Sequence, residues 1–161
     1  MKTAAIIAEY NPFHKGHRYQ IEETRKATGA DYILVLMSGD FVQRGEPAIY
    51  NKYIRTRMAL LGGADAVLEL PVLYATSSAE FFAEGAVTLL DHMQMVDFLS
   101  FGSESGKLKD FLPLAELLNR KEATVLSTVN ELLRQGLSYP KAKSRAVSLL
   151  FPEYSSADAA F

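Results

Sequence analysis

Apolar residues fall along this chain in short unbroken runs that alternate with stretches spaced by three and four. Residues 3–9 form the first run and end in a turn that contains Pro12, as expected of a buried strand. Over residues 17–28 the spacing becomes helical, with Tyr19, Ile21 and Ala27 as a thin stripe and Gly29 as a C-terminal stop. Residues 32–37 (YILVLM) are continuously apolar between Asp31 and Ser38-Gly39-Asp40, the pattern of a parallel strand covered on both faces. Asn51 is expected to cap a helix through Leu61 that the Gly62-Gly63 pair ends. A third strand, 66–70, stops at Pro71. Ser77 or Ser78, with Glu80 just inside, opens a helix to about His92, and a fourth strand, 97–101, closes at Gly102.

Strand–helix alternation of this kind predicts the α/β class, a doubly wound parallel sheet with right-handed crossovers. From residue 106 the pattern changes to helices alone, over 108–119, 122–135 and 140–150, and residues 152–161 have no clear period. The expected organisation is an α/β domain over 1–106 and a helical extension packed on it over 107–161.

Composition narrows the classes. A chain of 161 residues with 48% hydrophobic and 22% charged residues is neither disordered nor fibrous. Cysteine is absent, so thiolate metal sites, disulfides and a Cys nucleophile are excluded. No apolar run approaches the roughly 18 residues that span a bilayer, and the N-terminal run lacks the length and cleavage site of a signal peptide. A cytoplasmic protein with no membrane partner is expected. Net charge is −2, but residues 107–145 carry eight Lys/Arg against four Asp/Glu. That stretch is either a solvated helix face or a surface for a polyanion.

Ligands of open α/β sheets sit beyond the carboxyl ends of the strands. After the first predicted strand the chain reads Glu9-Tyr10-Asn11-Pro12-Phe13-His14-Lys15-Gly16-His17, placing two of three histidines around a glycine where strand turns to helix. A helix N-terminus offers unpaired N–H groups and a positive dipole end. Two imidazoles there can donate to a phosphate, Gly16 would let the backbone approach it, and Lys15 and Arg18 add positive charge. His-x-x-His also suits a metal pair, but no third ligand cluster accompanies it, so no metal site is expected. His92, near a helix end, is expected to complement the helix dipole. Tyr10, Phe13 and Tyr50 are candidates for stacking on a base, with packing the commoner fate of such residues. Lys52, Arg55 and Arg57 are expected to be solvated on the second helix. The first turn lacks G-x-G-x-x-G, which argues against a dehydrogenase.

The tetrad His14-Lys15-Gly16-His17 resembles the HxGH signature of the nucleotidylyltransferase superfamily. With Ala8 through Phe13 before it, Met37-Ser38-Gly39-Asp40-Phe41-Val42-Gln43-Arg44-Gly45-Glu46-Pro47-Ala48 and Gly63 through Pro71, it resembles the bacterial tRNA(Met) cytidine acetate ligase family. Ser78 through Val87 and Phe101-Gly102-Ser103-Glu104 also fit. The resemblance is strong over 1–106 and weak beyond. It implies a Rossmann-like nucleotide-binding domain of the HxGH type, with the chain as the N-terminal part of a longer ligase whose C-terminal region follows.

That resemblance implies activation of acetate by ATP, with Mg2+, to acetyl-adenylate. The acetyl group then passes to the wobble cytidine of elongator tRNA(Met). The implied ATP-binding residues are Ile7, Ala8, Glu9, Tyr10, Asn11, Pro12, Phe13, His14, Lys15, Gly16, His17, Arg18, Tyr19, Gln20 and Gly102, with His14 and His17 catalytic. Ser38, Gly39, Asp40, Gln43 and Arg44 are expected to wall a pocket for acetate or cytidine. The alternatives are an adenylyltransferase acting on a small phosphorylated metabolite, and a nucleotide- or tRNA-binding fragment without activity.

Overall fold

The structure, a computed structural model, describes residues 1–103 and 108–152. Glu104, the predicted 106/107 boundary and residues 153–161 of the aperiodic tail lie outside the described residues. The chain divides into two compact units, 1–101 and 102–161.

The first unit is a four-stranded, wholly parallel sheet in the order β3-β2-β1-β4, built from β1 (Thr3–Ala8), β2 (Tyr32–Ser38), β3 (Ala66–Leu70) and β4 (Phe98–Ser100). Between the strands run α1 (Lys15–Thr28), α2 (Lys52–Leu61), α3 (Val72–Ala75) and α4 (Ala79–His92). Alternation along β1 and β2 sends Ala4, Ile6, Ile33, Val35 and Met37 to one face, where they meet Ile21 of α1 and Ala59 of α2. Ala5, Leu34 and Leu36 point the other way, onto Ala75, Phe82, Ala86 and Leu90. Both faces are covered, so the strands read as unbroken apolar runs and the sheet is doubly wound, as the pattern predicts.

Carboxylates pin the strand beginnings, at the edge opposite the histidines. The Lys2 N–H donates to Asp31 Oδ2 at 2.7 Å, Thr3 N–H to Asp97 Oδ2 at 2.7 Å, and Ile33 N–H to Asp65 Oδ2 at 2.7 Å. With its carboxylate turned to β1 in this way, Asp97 precedes β4, which is shorter than the expected 97–101. The short α3 is absent from the expectations, because four residues are too few to establish a period. Asn51 and Ser78 cap α2 and α4 as predicted, each accepting an N–H three residues on.

The second unit contains α5 (Leu108–Arg120), α6 (Glu122–Arg134) and α7 (Tyr139–Leu150), within a residue of the expected helices. Its core gathers Leu114, Val125, Val129, Ala142, Ala146, Val147 and Phe151. Among the described residues no helix is long and apolar enough to cross a membrane.

Candidate functional site

The loop between β1 and α1 opens at the carboxyl edge of the sheet, next to the gap between β1 and β4 where strand order reverses. His14 is the N-cap of α1. Its Nδ1 accepts the Gly16 N–H at 3.1 Å, and Nδ1 of His17 accepts the His14 N–H at 3.2 Å. This is a reciprocal capping box built from two imidazoles. The helix therefore begins at Lys15, not at His17 as the spacing suggests, because histidine is not among the usual capping residues.

Two further expectations change with it. The N–H groups of His14 and Gly16 are not free for an anion, since the rings occupy them. A Cβ on Gly16 would stand 3.0 Å from His14 Cε1, so glycine here makes room for the capping ring rather than for a phosphate.

The cap determines the rings' chemistry. A nitrogen that accepts from an N–H carries no proton, so each neutral ring holds its proton on Nε2. The rings stack at 3.6 Å between centroids and 22° between planes. No hydrogen-bond partner for either Nε2 exists among the described residues. Two Nε2–H donors are thus carried on a pair of stacked rings. Burial, and then the charge of His14, hold the His17 pKa below its ordinary value. Neutral His17 is therefore favoured by folding, and stability is fully present above the unfolded pKa of about 6.5 and lost as pH falls through the lower folded one. The urea midpoint is expected to be flat above pH 7 and to decline below about 6.5. His17→Gln, which keeps an acceptor at the same helical position, should flatten that decline in urea melts run across the range.

A cleft of about 340 Å3 adjoins the rings, lined by Ile7, Ala8, Glu9, Tyr10, Asn11, Pro12, His14, His17 and Gln20. Its volume lies within the roughly 300–1,000 Å3 of small-molecule pockets. Nine of the residues expected to hold a nucleotide are therefore together. The remainder are placed otherwise. Lys15, Gly16, Arg18 and Tyr19 are exposed on the first turns of α1, where Arg18 pairs with Glu22 at 2.9 Å. Phe13 turns away from the cleft, edge-on to Tyr10 at 4.9 Å, and lies so close to Gly62 that a Cβ there would collide with it. Gly102 falls at the start of the second unit.

Tyr10 is not a stacking platform. It is 1% exposed, in the core with Ile6, Ile21 and Val35, and its ring lies 4.7 Å from that of His17. Burial raises its pKa. It reaches that position through a backbone φ of 48°, a strained left-handed conformation that ring burial offsets. Tyr50 remains exposed.

The loop after β2 is stitched to the loop after β1. Glu9 Oε1 accepts the Gln43 N–H at 2.9 Å and Asn11 Oδ1 the Ile49 N–H at 2.7 Å. Of the five residues expected to wall an acetate or cytidine pocket, Ser38 and Gly39 are buried. The space a Cβ on Gly39 would need holds the Glu69 carboxylate, itself paired with Lys52 at 2.7 Å. Asp40 Oδ1 accepts the Lys52 N–H at 2.7 Å at the start of α2. Gln43 and Arg44 form a tight turn, in which Arg44 has φ 64° and an exposed side chain without a partner among the described residues.

Arg55 departs most from expectation. It is 0% exposed rather than solvated, and among the described residues its guanidinium donates only to backbone carbonyls. Arg57 is exposed, and His92 reaches the Thr88 carbonyl at 2.8 Å in the last turn of α4.

Among the described residues no group of three or more His, Asp or Glu is arranged to hold a metal ion. In the second unit, α6 and α7 border a shallow groove of about 630 Å3 that Gln135, Lys141, Ser144, Arg145 and Ser148 line over a floor of Leu132, Leu137 and Pro140. Among the described residues no acidic side chain lines it.

The model of the HIGH Nucleotidyl Transferase family matches residues 1–159. The tRNA(Met) cytidine acetate ligase of Acetivibrio thermocellus is 50% identical over 147 residues, which are 91% of this chain and 35% of that protein. Its Geobacillus counterpart is 51% identical over 146 residues, 91% of this chain and 36% of that one. The crystal structure of Thermotoga maritima TmcAL bound with alpha-thio ATP superposes with a TM-score of 0.87 at 40% identity, covering 95% of this chain and 37% of that chain. This chain spans about a third of the length of the curated relatives it matches.

Proposed function

The chain belongs to the HIGH nucleotidyl transferase family, and on that footing we propose that it is the ATP-binding, acetate-activating part of a tRNA(Met) cytidine acetate ligase. The observation that carries the reading is the pair of Nε2–H donors held side by side at the cleft after β1. The relatives' name and the ATP analogue bound to the Thermotoga protein support it.

In this reading ATP lies along residues 7–20 with its phosphates toward His14 and His17. A carboxylate oxygen of acetate attacks the α-phosphorus, the bond to the bridging oxygen of the β-phosphate breaks, and pyrophosphate leaves. Negative charge grows on the five-coordinate phosphorus and on the leaving group. Both rings are held by the backbone through Nδ1, which leaves their Nε2–H groups to stabilise that charge with little reorganisation. Magnesium arrives on the phosphates as part of the ATP substrate. The exocyclic amine of cytidine then attacks the acetyl carbonyl, AMP departs with the bonding pair, and the amine loses a proton. No covalent bond to the protein forms at any stage.

The groove of the second unit, where Lys141 and Arg145 face no acidic side chain among the described residues, suits the other substrate. Lys, Arg and Ser side chains are common donors to nucleic-acid phosphates, and the groove sits in the stretch with eight basic and four acidic residues. We assign it to the tRNA backbone.

The test is pyrophosphate release from labelled ATP with acetate, run beside ATP with pantetheine phosphate or nicotinamide mononucleotide. Acetate-dependent release supports the reading. Release with a phosphorylated metabolite alone would replace it with an ordinary adenylyltransferase.

A further inference from the structure

Arg55 has no role in the chemistry described so far, yet it is the largest fully buried side chain among the described residues. Its Nε donates to the Tyr50 carbonyl at 2.9 Å, one terminal nitrogen to the carbonyls of Glu9 and Ser38, and the other to the carbonyl of Gly39. No carboxylate is hydrogen-bonded to it among the described residues.

The place of these acceptors is informative. The ladder of β1 and β2 ends with the pair Ala8 and Met37. Glu9 and Ser38 are the next residues, where β1 and β2 part while Ser38 still pairs with Leu70 of β3. Arg55 bridges the two carbonyls with a planar fork of fixed geometry, which a lysine point charge cannot reproduce. One side of the fork is the cleft's own wall, since Glu9 lines it. The other side is the root of the loop that carries Gln43 and the exposed Arg44. The Glu9 carboxylate also accepts the Gln43 N–H at 2.9 Å.

We propose that Arg55 is a positioning residue: its guanidinium sets the distance between the nucleotide cleft after β1 and the turn at Gln43–Gly45, and this turn receives the carboxylate substrate. The inference rests on the acetate-activation reading. Arg44 gives the turn a cation suited to a small carboxylate, and attack on phosphorus needs the two substrates held in register. Arg55 touches neither substrate and acts through the two loops it joins.

Two variants and two readouts test this. Arg55→Lys keeps the charge without the fork, and Arg55→Met keeps the length without charge. Amide hydrogen exchange is followed at Val42, Gln43 and Ala48 of the loop and at Ile6 and Val35 of the sheet. Loss of the fork is expected to speed exchange at the loop amides at least tenfold more than at the sheet amides. In Arg55→Lys the KM for acetate is expected to rise tenfold or more, against a much smaller change in the KM for ATP. A merely structural role predicts equal acceleration at loop and sheet and a parallel rise in both KM values, and either result overturns the proposal. If Arg55→Met does not fold, Arg55→Lys decides. If the unaltered chain releases no pyrophosphate with acetate, the substrate reading fails by itself, while hydrogen exchange still reports whether Arg55 holds the loop.

Discussion

Replacing His14 by asparagine or His17 by glutamine is expected to lower acetate-dependent pyrophosphate release by about 100- to 1,000-fold, the usual consequence of deleting one preorganised donor. These two substitutions are chosen because the histidines do two jobs. Each Nδ1 accepts a backbone N–H and so starts α1, and each Nε2–H is free to donate outward. Asparagine is a good N-cap and glutamine completes a capping box, so both variants keep the helix start, while the amide N–H that each retains is displaced from the outward position of the ring Nε2–H. The thermal midpoint should stay within a few degrees of the parent. Alanine at either place removes the cap as well, adding a stability loss of roughly 0.5–2 kcal/mol. Because the rings are in contact, the double variant should lose less than the product of the single losses. Pyrophosphate release that survives either substitution would detach the histidines from the chemistry.

The second large effect is expected in RNA binding. If Lys141 and Arg145 each neutralise one phosphate, changing both to glutamine removes two contacts from the groove between α6 and α7. The slope of log affinity against log salt should then fall by about 1.8 for duplex-like contacts, or about 1.4 for a single strand. At moderate salt this amounts to an affinity loss on the order of tenfold. Fluorescence anisotropy with labelled elongator tRNA(Met) between 50 and 200 mM salt measures it, with far-UV circular dichroism as the check on folding. An unchanged slope would return the groove to ordinary solvated surface.

Much of the fold is legible along the chain because its determinants are local. Both faces of β2 are buried, so YILVLM is apolar throughout. Asn51 and Ser78 are residues that cap helices in any context. The cleft is legible for a topological reason: in a parallel sheet the loop after the first strand lies at the ligand edge, wherever the details fall.

What escapes the sequence depends on partners far along it. Arg55 lies among residues that suggest a solvated helix face, and only the convergence of the carbonyls of Glu9, Ser38 and Gly39 makes burial tolerable for a guanidinium. A faint signal exists, since Ala59 and Gly62 follow on the same side of α2, small residues where a buried face would have them. Tyr10 could not be separated from a stacking residue, because its burial depends on a positive φ that no pattern announces. The double use of the histidines was hidden for another reason: an imidazole is read as a ligand or a base, and seldom as a cap.

The account turns on where the imidazole protons sit and what they face. Long-range proton–nitrogen correlation spectra of the histidine-labelled chain, recorded with and without a non-hydrolysable ATP analogue, report both directly. Neutral rings protonated at Nε2 in the free chain, with both Nε2–H signals moving on addition of the analogue, are the predicted result. Protons on Nδ1, or Nε2 signals that stay in place while the analogue binds, would contradict it.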